Sequence, residues 1–175
     1  DVTIETAPGT ATLTSVAPHS RPATEAEIAD TLRALRWQRT DITPAFPARV
    51  AYAGNEHLML AAATRTRLAT LDYDFDALGS IMRAAGWTTV HLFYPDGPRH
   101  FQARDPFPVG GVVEDPATGA AAAAFGGYLR DIGYAESGGI TIEQGVDLGR
   151  PSLLQVDLGP DTTGIRVTGA AVPIG

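Results

Sequence analysis

Apolar and polar residues alternate at positions 2–5 and 10–16 around Pro8-Gly9, which predicts a β-hairpin with one buried face. Thr24 and Glu27 form a capping box, and Ile28, Leu32 and Leu35 follow at helical spacing, so a helix is expected from there to about Trp37. Residues 40–47 hold two prolines and no periodicity, and read as a connector. Residues 49–53 and 58–63 are strand-like runs on either side of Gly54-Asn55-Glu56-His57. The second run is nearly continuous and therefore central, and the tight connection pairs the two. Asp74, Phe75, Leu78, Ile81 and Met82 mark a second amphipathic helix ending near Gly86. Strands are expected at 88–94 and 100–104, separated by the turn Pro95-Asp96-Gly97-Pro98. Residues 140–143, interrupted by Gln144-Gly145, and then 152–158 and 164–172 complete the strand pattern.

One stretch departs from these periods. From Gly119 to Leu129 the sequence is alanine, glycine, phenylalanine, tyrosine and leucine on every helical face, so this helix belongs inside the fold. Its first turn is polar, which opens its amino end. The first N–H groups of a helix lack internal partners and carry partial positive charge, a natural seat for an anion. Two caps are possible on sequence grounds. With Asp115 as N-cap and Pro116 at the first helical position, the carboxylate is taken up by the helix itself. With Thr118 as cap, Asp115-Pro116-Ala117 is an approach turn and Asp115 is free for acid–base work. Gly119 alone reads equally as a packing glycine or a ligand contact. A glycine inside a helix costs about 1 kcal/mol relative to alanine, so Gly126-Gly127 predicts a closely approaching neighbour, and Tyr128 is assigned to the core. The sum is an α+β domain, an antiparallel sheet rolled around a central buried helix, with two lesser helices outside.

With 175 residues the chain is long enough for one good core or two small ones. Its formal charge of -7, from 20 acidic and 13 basic residues, with no basic patch, argues against nucleic-acid or anionic-membrane partners. The absence of cysteine excludes disulfides, thiolate zinc sites and thiol catalysis within this chain. No apolar run reaches the length of about 18 residues that spans a bilayer, and no signal segment is visible, so a cytoplasmic location is expected. The chain opens at Asp1, inside a strand pattern and without a methionine, which suggests a fragment boundary. Among the histidines, His91 and His100 read as surface or satisfied polar groups, His57 is the best candidate for lining a cleft, and no carboxylate stands at metal-ligand spacing. Arg104 is assigned as the partner of Glu114 or Asp115, and Arg150 as a loop brace.

Glu114-Asp115-Pro116-Ala117-Thr118-Gly119-Ala120-Ala121 before a buried helix, then Glu143-Gln144-Gly145, Gly149-Arg150-Pro151-Ser152 and Val167-Thr168-Gly169-Ala170-Ala171, closely resembles the phenazine-biosynthesis PhzF-like family. That family has the diaminopimelate-epimerase fold, in which two similar lobes face each other across a cleft at the amino ends of their central helices. The resemblance covers essentially the whole chain and implies that residues 1–175 are the carboxyl-terminal lobe, the amino-terminal lobe being absent. It implies a cofactor-independent isomerase, with no metal, that shifts a proton on a small carboxylated substrate resembling a dihydro-hydroxyanthranilate. Asp115 matches the catalytic aspartate of this lobe. Thr118 then becomes the cap, and Thr118, Gly119 and Ala120 the substrate-binding turn, with the N–H groups of Gly119 and Ala120 on the substrate carboxylate.

Two departures from the family pattern stand out. Ala120 replaces the family's usual serine and so lacks its hydroxyl. The general acid/base glutamate of a Ser-Glu segment and the histidine of a Gly-His-Ala-Thr segment, both in the family's first lobe, have no counterpart here. The missing lobe or a homodimer partner is expected to supply them, and a non-catalytic carboxylate-binding module is the alternative. Racemases of the same fold use one cysteine per lobe, which the absence of cysteine disfavours here.

Overall fold

The computed structural model describes residues 2–159 and 164–170. Helix α1 (Glu25–Leu35) starts at Thr24, whose hydroxyl accepts the Glu27 N–H while the Glu27 carboxylate accepts the Thr24 N–H, the expected capping box. It stops two residues short of Trp37. Arg36 turns left-handed at φ 56°, and the Arg36 and Trp37 N–H groups fold back onto the carbonyls of Arg33 and Leu32. Helix α3 (Phe75–Ala85) is capped by the Asp74 carboxylate and ends at left-handed Gly86. A short helix α2 (Arg65–Ala69), capped by Thr64, was not visible in the periodicity because a single turn carries none.

The strands are β1 (Thr3–Ala7), β2 (Thr10–Thr14), β3 (His19–Pro22), β4 (Arg49–Tyr52), β5 (Glu56–Ala61), β6 (Trp87–Pro95), β7 (His100–Pro106), β8 (Glu114–Asp115), β9 (Gly139–Gln144), β10 (Ser152–Asp157) and β11 (Arg166–Ala170). They form one sheet in the order β1-β2-β11-β10-β9-β7-β6-β5-β4-β3, with β8 added to β7. The pairing is antiparallel except for β5 with β6 and β7 with β9. Both exceptions have a helical crossover between the strands, α2 and α3 in the first case and α4 (Gly119–Asp131) in the second, as parallel neighbours require. The last strand is seen as β11; Ala171 and Val172, the end of the expected run and of its motif, lie outside the described residues.

Two apolar clusters sit on opposite faces of this sheet. Leu58, Leu60, Val90 and Leu92 face α1 and α3, with Ile28, Leu32, Leu78 and Met82. Met59, Ala61, Phe93 and Phe101 face α4, with Phe125, Tyr128 and Leu129. Strands β5 and β6 are therefore buried on both faces, which explains their continuous hydrophobic runs.

Helix α4 is poor in bulk because it is enclosed. Ala121, Ala122, Ala123 and Ala124 are all 0% exposed. A Cβ on Gly126 would come within 2.9 Å of Ile165 and 3.0 Å of Leu158, and one on Gly127 within 2.4 Å of Pro18. These are the close neighbours that the glycine pair implied. Tyr128 is core, its hydroxyl donating to the Pro47 carbonyl at 3.0 Å, and burial pushes its pKa up. Among the described residues, no helix is long and apolar enough to cross a membrane.

Candidate active site

The cap of α4 is Thr118, and Asp115 stands before the helix in β8, its backbone paired with Asp105 of β7. That pairing removes Asp115 from the capping position and decides between the two arrangements left open by the sequence. Thr118 makes no side-chain cap bond; its hydroxyl donates instead to Asp115 Oδ2 at 2.8 Å. Asp115 is half-buried, and no ion pair among the described residues engages it. Arg104 pairs with Glu114, not with Asp115. Its Nε and Nη2 reach the two Glu114 oxygens at 3.0 and 2.7 Å, and its Nη1 donates to the carbonyls of Leu68 and Ala69. Glu114 is thereby neutralised, and Asp115 is left as the carboxylate at the helix entrance.

The first intrahelical bond of α4 runs from Ala122 N–H to Thr118 O at 3.0 Å, so the N–H groups of Gly119 and Ala120 precede the ladder and lack helical acceptors. Both residues are half-buried, and a Cβ built on Gly119 would meet nothing within 4 Å. The first turn of α4 itself holds no acidic residue, unlike that of α1 with Glu25 and Glu27, and Asp115 before the cap is the carboxylate beside its positive end. The space beside Gly119 is open. Thr118 is buried, and its N–H is taken by Gln144 Oε1 at 3.1 Å.

The neighbouring strands fix this turn. Gln144 at the end of β9 is 0% exposed, and its Nε2 donates to the Asp115 carbonyl at 2.7 Å and to Thr118 Oγ1 at 2.9 Å. Ser152 at the start of β10 donates to the Pro116 carbonyl at 2.8 Å. Gly145, at φ 78°, lets the two backbones meet: a Cβ there would lie 2.2 Å from Arg150 O and 3.0 Å from Pro116 O. Arg150 braces that loop through its own N–H, which donates to Gly145 O. The Glu143-Gln144-Gly145 and Arg150-Pro151-Ser152 segments, noted as motifs, thus owe their place to the 115–118 turn.

His57 and His91 are fully buried and line no cleft. His57 Nδ1 lies 2.8 Å from Thr89 Oγ1, Thr89 donates to Asp105 Oδ1 at 2.9 Å, and His91 Nδ1 lies 3.1 Å from both Asp105 oxygens. Because the single Thr89 proton goes to Asp105, His57 Nδ1 is the donor to Thr89. Period-two spacing of Thr89, His91 and Phe93 along β6 was the available signal that these side chains share one face; the partner Asp105 was not. His100 is half-exposed, 3.8 Å from Asp96. Among the described residues no group of three or more His, Asp or Glu is arranged to hold a metal ion. A groove of about 780 Å³ lined by Ile28, Ile42, Phe46 and Pro47 shares no residue with the turn.

Burial lowers the His57 pKa from 6.5 to about 4, against the opposing pull of Asp105. The unfolded chain therefore binds a proton that the folded chain refuses. Stability is full above pH 6.5 and falls as the pH drops toward 4, by about 1.4 kcal/mol per unit and about 3 kcal/mol in all, levelling below. Urea unfolding between pH 7 and 4 checks this. His57→Gln, which keeps an N–H donor for Thr89, is expected to flatten that slope by one proton, and an unchanged slope would refute the assignment.

Comparison with known proteins places the fold in a family. The family model described as phenazine biosynthesis-like protein, PhzC-PhzF, matches residues 5–175. The trans-2,3-dihydro-3-hydroxyanthranilate isomerase of Pseudomonas chlororaphis is 36% identical over 110 residues, 62% of this chain and 38% of that protein. An uncharacterized isomerase of Escherichia coli O157:H7 is 29% identical over 154 residues, 81% of this chain and 50% of that protein. The chain therefore spans half or less of the length of these relatives. Among solved structures, a "Predicted Epimerase" of Pseudomonas aeruginosa superposes with TM-score 0.78 at 26% identity, over 95% of this chain and 58% of that one. A PhzF-family protein of Bacillus anthracis superposes with TM-score 0.77 at 16% identity, over 99% of this chain and 62% of that one. A probable proline racemase of Agrobacterium radiobacter, at TM-score 0.59 and 13% identity, shares the fold. By the extent of the family match and the fold it adopts, the chain belongs to the phenazine biosynthesis-like PhzC-PhzF family, with the diaminopimelate-epimerase-like architecture.

Proposed function

We propose that this chain supplies the α4 half of a cofactor-independent isomerase site that shifts a proton on a small carboxylated substrate resembling a dihydro-hydroxyanthranilate. The single observation that carries the reading is the pairing of a carboxylate with an open helix end: Asp115, held by Thr118, stands before the N–H groups of Gly119 and Ala120, which lack helical acceptors. The substrate carboxylate sits on those two N–H groups, and Thr118 contributes by orienting Asp115. A proton leaves one carbon of the substrate and returns to another, so nothing is oxidised or reduced. Such a step needs an acid–base pair and donors for the charge that develops. Asp115 is one member of the pair and protonates or positions the substrate. The other is the glutamate of a facing lobe, carried by the remainder of a two-lobed polypeptide or by a second copy in a homodimer. The site lies on the amino-terminal end of α4, where that lobe closes it.

A second reading, a carboxylate-binding module without catalysis, is favoured by Ala120, which brings no hydroxyl to the ligand. Titrating the protein with benzoate while following the amide resonances separates binding at this turn from binding elsewhere. Gly119 and Ala120 are expected to shift most, and shifts confined to other segments would contradict the carboxylate seat. Benzoate binding together with turnover of a dihydro-hydroxyanthranilate supports the isomerase; binding without turnover supports the module.

A further inference from the structure

The turn carrying Asp115 is gripped from outside by one side-chain amide, and we infer that Gln144 is a positioning residue that dictates the direction of the Thr118–Asp115 hydrogen bond. The inference rests on the reading of Asp115 as the acid–base group. Gln144 is 0% exposed and uses both ends of its amide: Oε1 accepts the Thr118 N–H at 3.1 Å, and Nε2 donates to the Asp115 carbonyl at 2.7 Å and to Thr118 Oγ1 at 2.9 Å. The amide orientation is forced. Flipped, it would set an NH2 group against the Thr118 N–H and an oxygen against the Asp115 carbonyl.

The consequence runs through a single proton. Thr118 Oγ1 has one hydrogen, and because it accepts from Gln144 Nε2, that hydrogen is directed to Asp115 Oδ2, 2.8 Å away. The chain Gln144 Nε2–H to Thr118 O–H to Asp115 Oδ2 therefore has one polarity. Thr118 itself is buried, 8% exposed. A donated O–H fixes the rotation of the carboxylate. It also leaves Oδ1 as the carboxylate oxygen with no bond to the turn. The rigidity of the grip comes from Gly145 and Ser152, which lock the end of β9 and the start of β10 against Pro116. Gln144 touches no reacting atom and acts only through Thr118.

The test uses the intact protein and two readouts. The carbon-13 chemical shift of the Asp115 carboxyl at one fixed pH reads the hydrogen bond without any substrate. Relative to the wild type, Gln144→Met and Thr118→Val are expected to displace that signal, and Thr118→Ser to leave it in place. In a Thr118→Val background, Gln144→Met adds nothing further. Should Gln144→Met fail to fold, Gln144→Glu keeps the acceptor for the Thr118 N–H. The signal displacement it causes in the presence of Thr118, less that in the Thr118→Val background, isolates the effect transmitted through the hydroxyl.

With trans-2,3-dihydro-3-hydroxyanthranilate as the probe, Gln144→Met is expected to lower kcat by about 10- to 100-fold with KM within about threefold, because a misdirected catalytic group costs rate more than binding. An unchanged carboxyl signal, or an equal displacement in both backgrounds, overturns the inference and reduces Gln144 to a brace for stability. A displaced signal in a protein whose wild type does not turn over the probe counts against the isomerase reading and for the orientation of Asp115 by Gln144.

Discussion

Asp115→Asn in the intact protein is expected to lower kcat for isomerisation by about 10²- to 10⁴-fold, the range a positioned acid–base group supplies. The substitution is nearly isosteric, and its side-chain oxygen still accepts the Thr118 hydroxyl, so the turn of residues 115–118 and the bonds from Gln144 stay in place. What disappears is the ionisable oxygen. The proposed carboxylate seat consists of the backbone N–H groups of Gly119 and Ala120, which the change does not touch, so KM is expected to stay within about threefold. Loss of kcat at constant KM is the pattern of a group that acts on the transition state. Steady-state kinetics of both proteins at several pH values checks it. Unchanged turnover would remove Asp115 from the chemistry.

The second large effect is on stability. Arg104→Met is expected to destabilise the fold by about 3–5 kcal/mol, because it strands a buried carboxylate. The Glu114 side chain is 1% exposed and both of its oxygens are held by Arg104, which also serves the Leu68 and Ala69 carbonyls from a side chain 10% exposed. Removing both charges is a different matter. Arg104→Met combined with Glu114→Leu is expected to recover part of the loss, since an apolar pair in place of a buried ion pair is often close to neutral. Denaturant unfolding of the single and double variants checks both, and a loss below about 1 kcal/mol in the single variant would mean a pair no stronger than one on the surface. The consequence reaches the site, because Glu114 and Asp115 together are β8, and the grip on Glu114 helps hold Asp115 opposite Asp105.

Much of this was legible along the chain because it is local. Capping residues, turn glycines and period-two alternation are settled within a few positions, and α1, α3, the opening hairpin and the enclosed α4 follow from them, although the hairpin's expected buried face is not formed: β1 is exposed throughout and β2 is at most half-buried. The elements that were hidden depend on distant partners. Strand β3, bracketed by Pro18 and Pro22, is a strand only because β4 pairs with it. Strand β8 is two residues long and exists only against β7.

The site divides in the same way. Asp115 and Thr118 are both capping residue types; the family resemblance pointed to Thr118, and the pairing of Asp115 with Asp105 is the physical reason it caps. Gln144 was visible as part of a motif, but its role arises from contact between β9 and a turn 26 residues earlier in the sequence. The buried set of His57, Thr89, His91 and Asp105 draws on three strands whose neighbours are set by the crossovers.

The measurement that tests the account most directly is NMR of the intact protein with trans-2,3-dihydro-3-hydroxyanthranilate in deuterated water. Proton transfer at this site predicts isomerised product, with solvent deuterium on the carbon that receives the proton when the transferred proton exchanges with solvent, and loss of that conversion in Asp115→Asn. Substrate bound at Gly119 and Ala120 but recovered without isomerisation or deuterium would contradict it.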